Sequence, residues 1–211
     1  MEATRLIAVR HGETAWNVDT RIQGHIDIGL NAKGMWQAAQ TGRALAEEPI
    51  AAVYSSDLSR ARETAAAIAA PRALPVRLDA QLRERAFGSF EGRTFAEIEL
   101  DLPDQALLWR KRDPAFAPDG GESLLLFRER ITGAVARLAA LHPGELIALV
   151  AHGGVMDVLY RAATGQELQA PRTWQLTNAA INRLLWTPQG LSLVGWGDDA
   201  HLADALDESS S

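Results

Sequence analysis

Two arginines, two histidines and one glutamate stand just beyond short apolar runs in this chain of 211 residues. Arg10 and His11 follow Leu6-Ile7-Ala8-Val9, Arg60 comes shortly after Ala51-Ala52-Val53-Tyr54, Glu84 follows Val76-Arg77-Leu78, and His152 follows the run from Leu146 to Ala151. Planar guanidinium forks, a ring N–H and backbone amides beside glycines suit a dianionic phosphoryl group. A neutral imidazole attacks phosphorus without first losing a proton, because its ring nitrogen carries a free lone pair. The P–N bond so formed is labile, and water completes the turnover. A departing alkoxide needs a proton, which a carboxylic acid supplies and later recovers from the incoming water. Glu84 is the carboxylate of this set. The residues alone leave open which histidine attacks.

Such side chains converge only if the runs before them are strands of an open α/β sheet, where ligands bind beyond the carboxyl ends. Leu6–Val9 reads as a buried strand, and Asn31 can cap a helix that carries Met35, Trp36, Ala39 and Leu45. Residues 51–54 read as a second strand. Ser56 or Asp57 then caps an alanine-rich helix from Arg60 to Ala70, which Pro71 stops. Val76–Leu78 is a third, short strand. Residues 86–121 lose regular periodicity while gathering Phe87, Phe90, Phe95, Trp109 and Phe116, and read as an inserted lid. Ser123 opens a long helix with Phe127, Ile131, Ala134, Val135, Leu138 and Leu141 at helical spacing. The unbroken apolar run Leu146–Ala151 is a central parallel strand, handed by His152-Gly153-Gly154 to a helix from Val155 to Ala163. Ala180–Trp186 and Leu191–Trp196 complete the strands, joined at Pro188-Gln189-Gly190. The expected architecture is a three-layer α/β/α fold with a mostly parallel central sheet: a single domain over residues 1–197, then a flexible acidic tail over 198–211.

Composition narrows the function classes. Hydrophobic residues make up 47% and charged residues 23%, as in soluble globular proteins, and no stretch approaches the roughly 18 apolar residues of a membrane helix. The N-terminus lacks the pattern of an export leader, so a cytoplasmic location is expected. With no cysteine, disulfides, thiolate catalysis and cysteine-bound metals are all excluded. A net charge of −6 opposes a nucleic-acid-binding surface, although a local basic pocket can sit on an acidic protein. A metal site is the rival use of His11 and His152, but no H-x-x-x-H, H-x-H or carboxylate cluster accompanies them, and neighbouring arginines repel a cation. His142, at a helix end, and His201, in the tail, read as surface residues. His25 reads as a solvated rim residue, and Arg62 and Glu63 as surface contacts.

The order Arg10-His11-Gly12-Glu13-Thr14, Asn17, Gln23-Gly24, Ser55 through Ala65, Leu82-Arg83-Glu84 and Ala151-His152-Gly153-Gly154 resembles the histidine phosphatase superfamily, which includes the cofactor-dependent phosphoglycerate mutases. The resemblance spans roughly residues 5–185. It implies that His11 becomes phosphorylated, that Arg10, Arg60 and His152 grip the phosphoryl oxygens, and that Glu84 is proton donor and acceptor. It further implies that Asn17, Gln23, Gly24 and the Gly153 amide line the phosphate site, with Asn178 brought near. Gly12 is expected to leave room for the ester. No metal and no cofactor are implied; the partner is a small-molecule phosphate ester rather than nucleic acid or membrane, and a homodimer is compatible.

Phosphatase and mutase differ in what receives the phosphoryl group. Mutases resemble one another in placing a tyrosine three residues after the catalytic glutamate and a lysine some eight beyond it; here Phe87 and Phe95 stand in those places. Losing two polar anchors removes donors that a sugar-acid bisphosphate needs. Phe87-Gly88-Ser89-Phe90-Glu91-Gly92 resembles the phosphatase branch instead. A mutase or a sugar-bisphosphate phosphatase stays open through Arg110-Lys111-Arg112, which either grip a second anion or form a solvated basic patch. The lid aromatics suit equally a ring-bearing substrate or packing of the lid. A non-catalytic phosphate binder needs neither His11 nor Glu84.

Overall fold

The computed structural model describes residues 2–206. Six strands form one mixed sheet: β1 (Thr4–Arg10), β2 (Ile50–Ser55), β3 (Val76–Leu78), β4 (Leu146–Ala151), β5 (Ile181–Thr187) and β6 (Gly190–Asp198). Their order is β3-β2-β4-β1-β5-β6. The first four in that order run parallel, whereas β5 and β6 are antiparallel additions beside β1.

Alternation along the strands sorts side chains between two cores. Leu6 and Ala8 face helices α6 (Leu124–Ala139) and α7 (Gly153–Thr164), meeting Phe127, Ile131, Val135, Val155 and Leu159. Ile7 and Val9 face the other way, onto Ala61, Ala65 and Ile68 of α3 (Ser59–Ala69) and onto Leu45 at the end of α2 (Ala32–Ala44). All six residues of β4 are buried, as the unbroken apolar run requires of a strand covered on both faces.

Several local expectations are refined. Asn31 and Ser123 cap α2 and α6 through their side chains, at Gly34 N–H and Leu126 N–H. α3 is capped by neither Ser56 nor Asp57: its N-cap is Leu58, with no side-chain bond. Ser56 is turned to His152 and Asp57 is paired with Arg83. Leu141 lies past the end of α6 and is exposed. α7 starts at Gly153, two residues before the expected Val155.

Segment 86–121 holds the short 3-10 turn Gly88–Phe90, α4 (Phe95–Asp101) and α5 (Pro103–Arg110), and it builds its own core from Phe90, Ile98 and Ala106, flanked by Phe87, Phe95, Trp109 and Phe116. The aromatics therefore do pack the lid. A four-residue helix α1 (Ala15–Val18) follows β1 and is closed by a Thr14/Asn17 capping box.

Two histidines expected at the surface are not there. His142 is buried, bonded through Nε2 to the Tyr54 hydroxyl at 2.9 Å and through Nδ1 to Glu145. His201 sits in a 3-10 helix over Ala200–Leu206 and reaches Thr41 Oγ1 at 3.1 Å, so the expected tail is structured at its start. Residues 207–211 of that tail lie outside the described residues.

Candidate active site

Strand order brings the site together. β4 lies between β1 and β2, so the segments leaving these three strands are neighbours. The ladder extends beyond the strands: His11 N–H donates to Ala151 O at 3.0 Å, Ser56 N–H to Val150 O at 3.0 Å, and Ala179 N–H to Arg10 O at 2.9 Å. These bonds fix the backbone that carries Arg10, His11, Ser56 and His152. A cavity of about 160 Å³ at this end of the sheet is lined by Arg10, His11, Asn17, Arg21, Gln23, Gly24, Arg60, Glu84, Phe87 and Gly153.

His11 is buried, and its Nδ1 lies 2.7 Å from the Gly12 carbonyl. A carbonyl only accepts, so Nδ1 carries the proton and Nε2 keeps its lone pair. Burial, then the Arg10 and Arg60 guanidiniums, hold His11 well below the usual histidine pKa of 6.5. The imidazole is neutral at neutral pH. His152 stands edge to face with it, ring centroids 5.3 Å apart, and is likewise held well below the usual value by burial, Arg60, His11 and Arg10. His152 Nε2 is 2.8 Å from Ser56 Oγ, while its Nδ1 has no hydrogen-bond partner among the described residues.

Arg60 is fully buried at the start of α3 and donates to Gly24 O at 2.8 Å and Ile26 O at 2.9 Å. Those bonds fold the loop after α1 over the site, and Gly24 enters it at a φ of +52°. Arg10 donates from Nη1 to Leu176 O. The Nε of both arginines is buried without an acceptor among the described residues. A buried, unpaired donor costs about 1–3 kcal/mol, so two such nitrogens on residues lining one cavity mark a place where an anion would repay them.

Glu84 accepts from Gly154 N–H at 2.9 Å and from Arg85 N–H at 2.9 Å. It lines the cavity and raises the pKa values of Arg10 and Arg60 by its charge. A Cβ on Gly154 would lie 2.2 Å from Glu84 Oε1, so that position admits only glycine while the carboxylate stays in place. Gly12 has a different reason from the one expected. A Cβ there would meet Gly34 O at 2.4 Å, so Gly12 makes room for the start of α2 rather than for an ester.

Asn17 and Gln23 reach the cavity with their amide oxygens engaged: Asn17 Oδ1 accepts Thr14 N–H at 3.0 Å, and Gln23 Oε1 accepts the Thr14 hydroxyl at 3.0 Å. Their NH2 groups remain as donors. Asn178 donates to His11 O at 2.8 Å. His25 is not a solvated rim residue: its Nε2 holds Glu84 O at 2.8 Å. The sequence reading missed Ser56, Thr64, which accepts Gly12 N–H at 3.0 Å, and the Arg130–Glu122 pair beside Glu84. None of these carries a spacing signal: Ser56 and Thr64 meet partners far along the chain, and Arg130 and Glu122, eight residues apart, meet the loop around Glu84.

A larger cleft of about 790 Å³ opens from the cavity, sharing Arg10, Phe87 and Gly153 with it. Phe87, Phe95, Trp109 and Arg112 form its lid wall, and Leu168, Arg172, Gln175 and Thr177 the opposite wall. The basic triplet does not act as one patch. Arg110 pairs with Glu99, Lys111 is exposed, and Arg112, at a φ of +52°, donates to Leu168 O and Asp157 at 2.8 Å each. Among the described residues, no group of three or more His, Asp or Glu is placed to hold a metal ion.

The sequence of residues 6–199 matches the histidine phosphatase superfamily (branch 1). A phosphoglycerate mutase-like protein 4 of Arabidopsis thaliana is 38% identical over 97% of this chain and 89% of its own length. A metal-independent phosphoserine phosphatase of the same plant is 36% identical over 96% of this chain and 84% of its own length. Among solved structures, Bacillus stearothermophilus YhfR superposes with a TM-score of 0.87 at 31% identity, covering 94% of this chain and 99% of that one. With residues 6–199 matched to the family and its fold superposing on a solved structure over 94% of the chain, the chain belongs to the histidine phosphatase superfamily.

Proposed function

We propose that this protein hydrolyses phosphate monoesters of small metabolites, without a metal, through a phosphohistidine on His11. The observation that carries this reading is a neutral His11, its Nδ1 held by the Gly12 carbonyl, beside the buried Nε donors of Arg10 and Arg60, which have no acceptor among the described residues. These two nitrogens donate to the phosphoryl oxygens, joined by the Asn17 and Gln23 amides and the Gly153 N–H, with Gly24 shaping the wall. His152 joins them in the tautomer in which Ser56 donates its hydroxyl proton to Nε2, 2.8 Å away, and Nδ1 carries the ring proton.

His11 Nε2 attacks phosphorus, the ester P–O bond breaks, and the departing oxygen takes the Glu84 proton. Water then attacks the phosphohistidine and returns a proton to Glu84. The N–P bond breaks, releasing inorganic phosphate and restoring both groups. Hydrolysis is favoured over mutase transfer because Phe87 and Phe95 offer no donors to a second anionic group, and Arg110 and Arg112 beside them are already paired with Glu99 and Asp157.

Incubation with 32P-labelled p-nitrophenyl phosphate and a rapid quench should trap an acid-labile, base-stable phosphate on His11. A His11→Ala protein that hydrolyses esters as fast as the parent would overturn the mechanism. Robust interconversion of phosphoglycerates with the bisphosphate primer present would overturn the choice of hydrolase.

A further inference from the structure

Glu84 is held by more than its own carboxylate bonds. Arg130, on α6, donates from Nη1 to Gln81 O at 2.8 Å and Arg83 O at 3.0 Å, and from Nη2 to Glu84 O at 3.1 Å. The same guanidinium grips both carboxylate oxygens of Glu122, at 2.8 Å from Nε and 2.6 Å from Nη2. Glu122 in turn accepts Ala86 N–H at 2.9 Å, and its own N–H donates to Ala86 O at 2.8 Å. One side-chain pair therefore binds the backbone on both sides of Glu84, from residue 81 to residue 86.

The pair is well shielded, with side-chain exposures of 16% and 20%, so it is not an ordinary solvated surface bridge. It also closes the neck of the lid. Residues 86–89 and 119–122 meet there, with Ser89 N–H on Asp119 O at 2.9 Å and Arg85 Nε on Glu122 O at 2.8 Å. A guanidinium can span five acceptors in one plane; an ammonium cannot.

We propose that Arg130 and Glu122 are positioning residues that fix the Glu84 carboxyl at the leaving oxygen and couple its place to the neck of the lid. The inference rests on Glu84 being the proton donor. A misplacement of about 1 Å in a reacting group can cost a hundredfold. That loss falls on esters whose alcohol needs protonation as it leaves, and spares those whose leaving group departs as a stable anion.

The test reads the single-turnover step that releases the alcohol, before the water attack that is common to all esters, and compares an alkyl ester, glycerol 2-phosphate, with p-nitrophenyl phosphate. Arg130→Met, Arg130→Lys and Glu122→Gln are assayed beside Glu84→Gln as reference, with vanadate inhibition of each as a check on the phosphate clamp. Arg130→Met should slow this step on the alkyl ester about 30-fold, with less than about a threefold change on the aryl ester and unchanged vanadate affinity. Glu84→Gln should show the same selectivity more strongly. Arg130→Lys should rescue little, whereas Glu122→Gln, which keeps an acceptor for Ala86 N–H, should fall between Arg130→Met and the parent.

Equal losses on both esters, or no loss, would overturn the positioning role while leaving Glu84 as the acid. If Glu84→Gln itself fails to discriminate between the esters, the proton-donor reading and this inference fall together. Should Arg130→Met not fold, the Glu122→Gln selectivity decides.

Discussion

The cavity at the sheet end and the cleft that opens from it are built in opposite ways. The cavity holds about 160 Å³; Arg10, His11 and Gly153 stand at or just past strand ends and Arg60 in the first turn of α3, on backbone locked by extensions of the β1–β4 and β2–β4 ladders, and the loops after β1 and β3 complete it. The cleft holds about 790 Å³; the lid segment and the chain between α7 and β5 supply much of its wall, beside residues of α6 and α7. Those walls have separate support: the lid packs on its own core, and Arg112 ties it to Leu168 and Asp157 across the cleft. The difference teaches that the attacking histidine and the strand-end arginine are fixed by the sheet, while groups suited to choosing a substrate hang largely on segments outside it, with Glu84 at the joint between the two.

Breaking the cavity should cost most. His11→Ala is expected to lower turnover of p-nitrophenyl phosphate on the order of a thousandfold or more, with thermal melting little changed. Gly154→Ala should come next. Its Cβ would push Glu84 Oε1 away, and the carboxylate is easier to move than the helix start that carries Gly154. We expect kcat on an alkyl ester to fall about a hundredfold while vanadate still binds.

Disturbing the cleft should act on selection rather than on chemistry. Arg112→Ala should raise KM for a sugar phosphate about tenfold, with kcat within about a factor of two and inhibition by inorganic phosphate unchanged. A comparable fall in kcat would show that the two regions are not separable.

The smallest effect is on stability with pH. His11 and His152 are held well below their usual 6.5, so the unfolded chain takes up protons that the folded one refuses. Stability is full above 6.5 and is lost as pH falls below it toward the folded values. Urea midpoints should therefore drop between about pH 7.5 and about pH 5.5, and drop less in His11→Ala.

The elements were legible where periodicity spoke. Asn31 and Ser123 cap the helices they were expected to cap, and Leu146–Ala151 is the buried central strand. The failures share a cause. Ser56 and Asp57 read as caps by residue type, but each found a stronger partner far along the chain, in His152 and Arg83. His142 read as exposed because it follows a helix; Tyr54 and Glu145 bury it. Gly12 read as clearance for a ligand, and the backbone of α2 fills that space. Arg130 and Glu122 gave no signal at all, since eight residues separate them and their other partners lie on the loop around Glu84.

What the amino-acid order by itself determined is which residue types end each strand: a strong local pattern of apolar run, polar pair and glycine places Arg10, His11 and His152 at carboxyl ends. What only the tertiary structure decided is that β4 inserts between β1 and β2, which makes those ends neighbours, and which ring nitrogen His11 leaves free. Strand order and tautomer both depend on partners distant in sequence, and a local pattern carries no record of them.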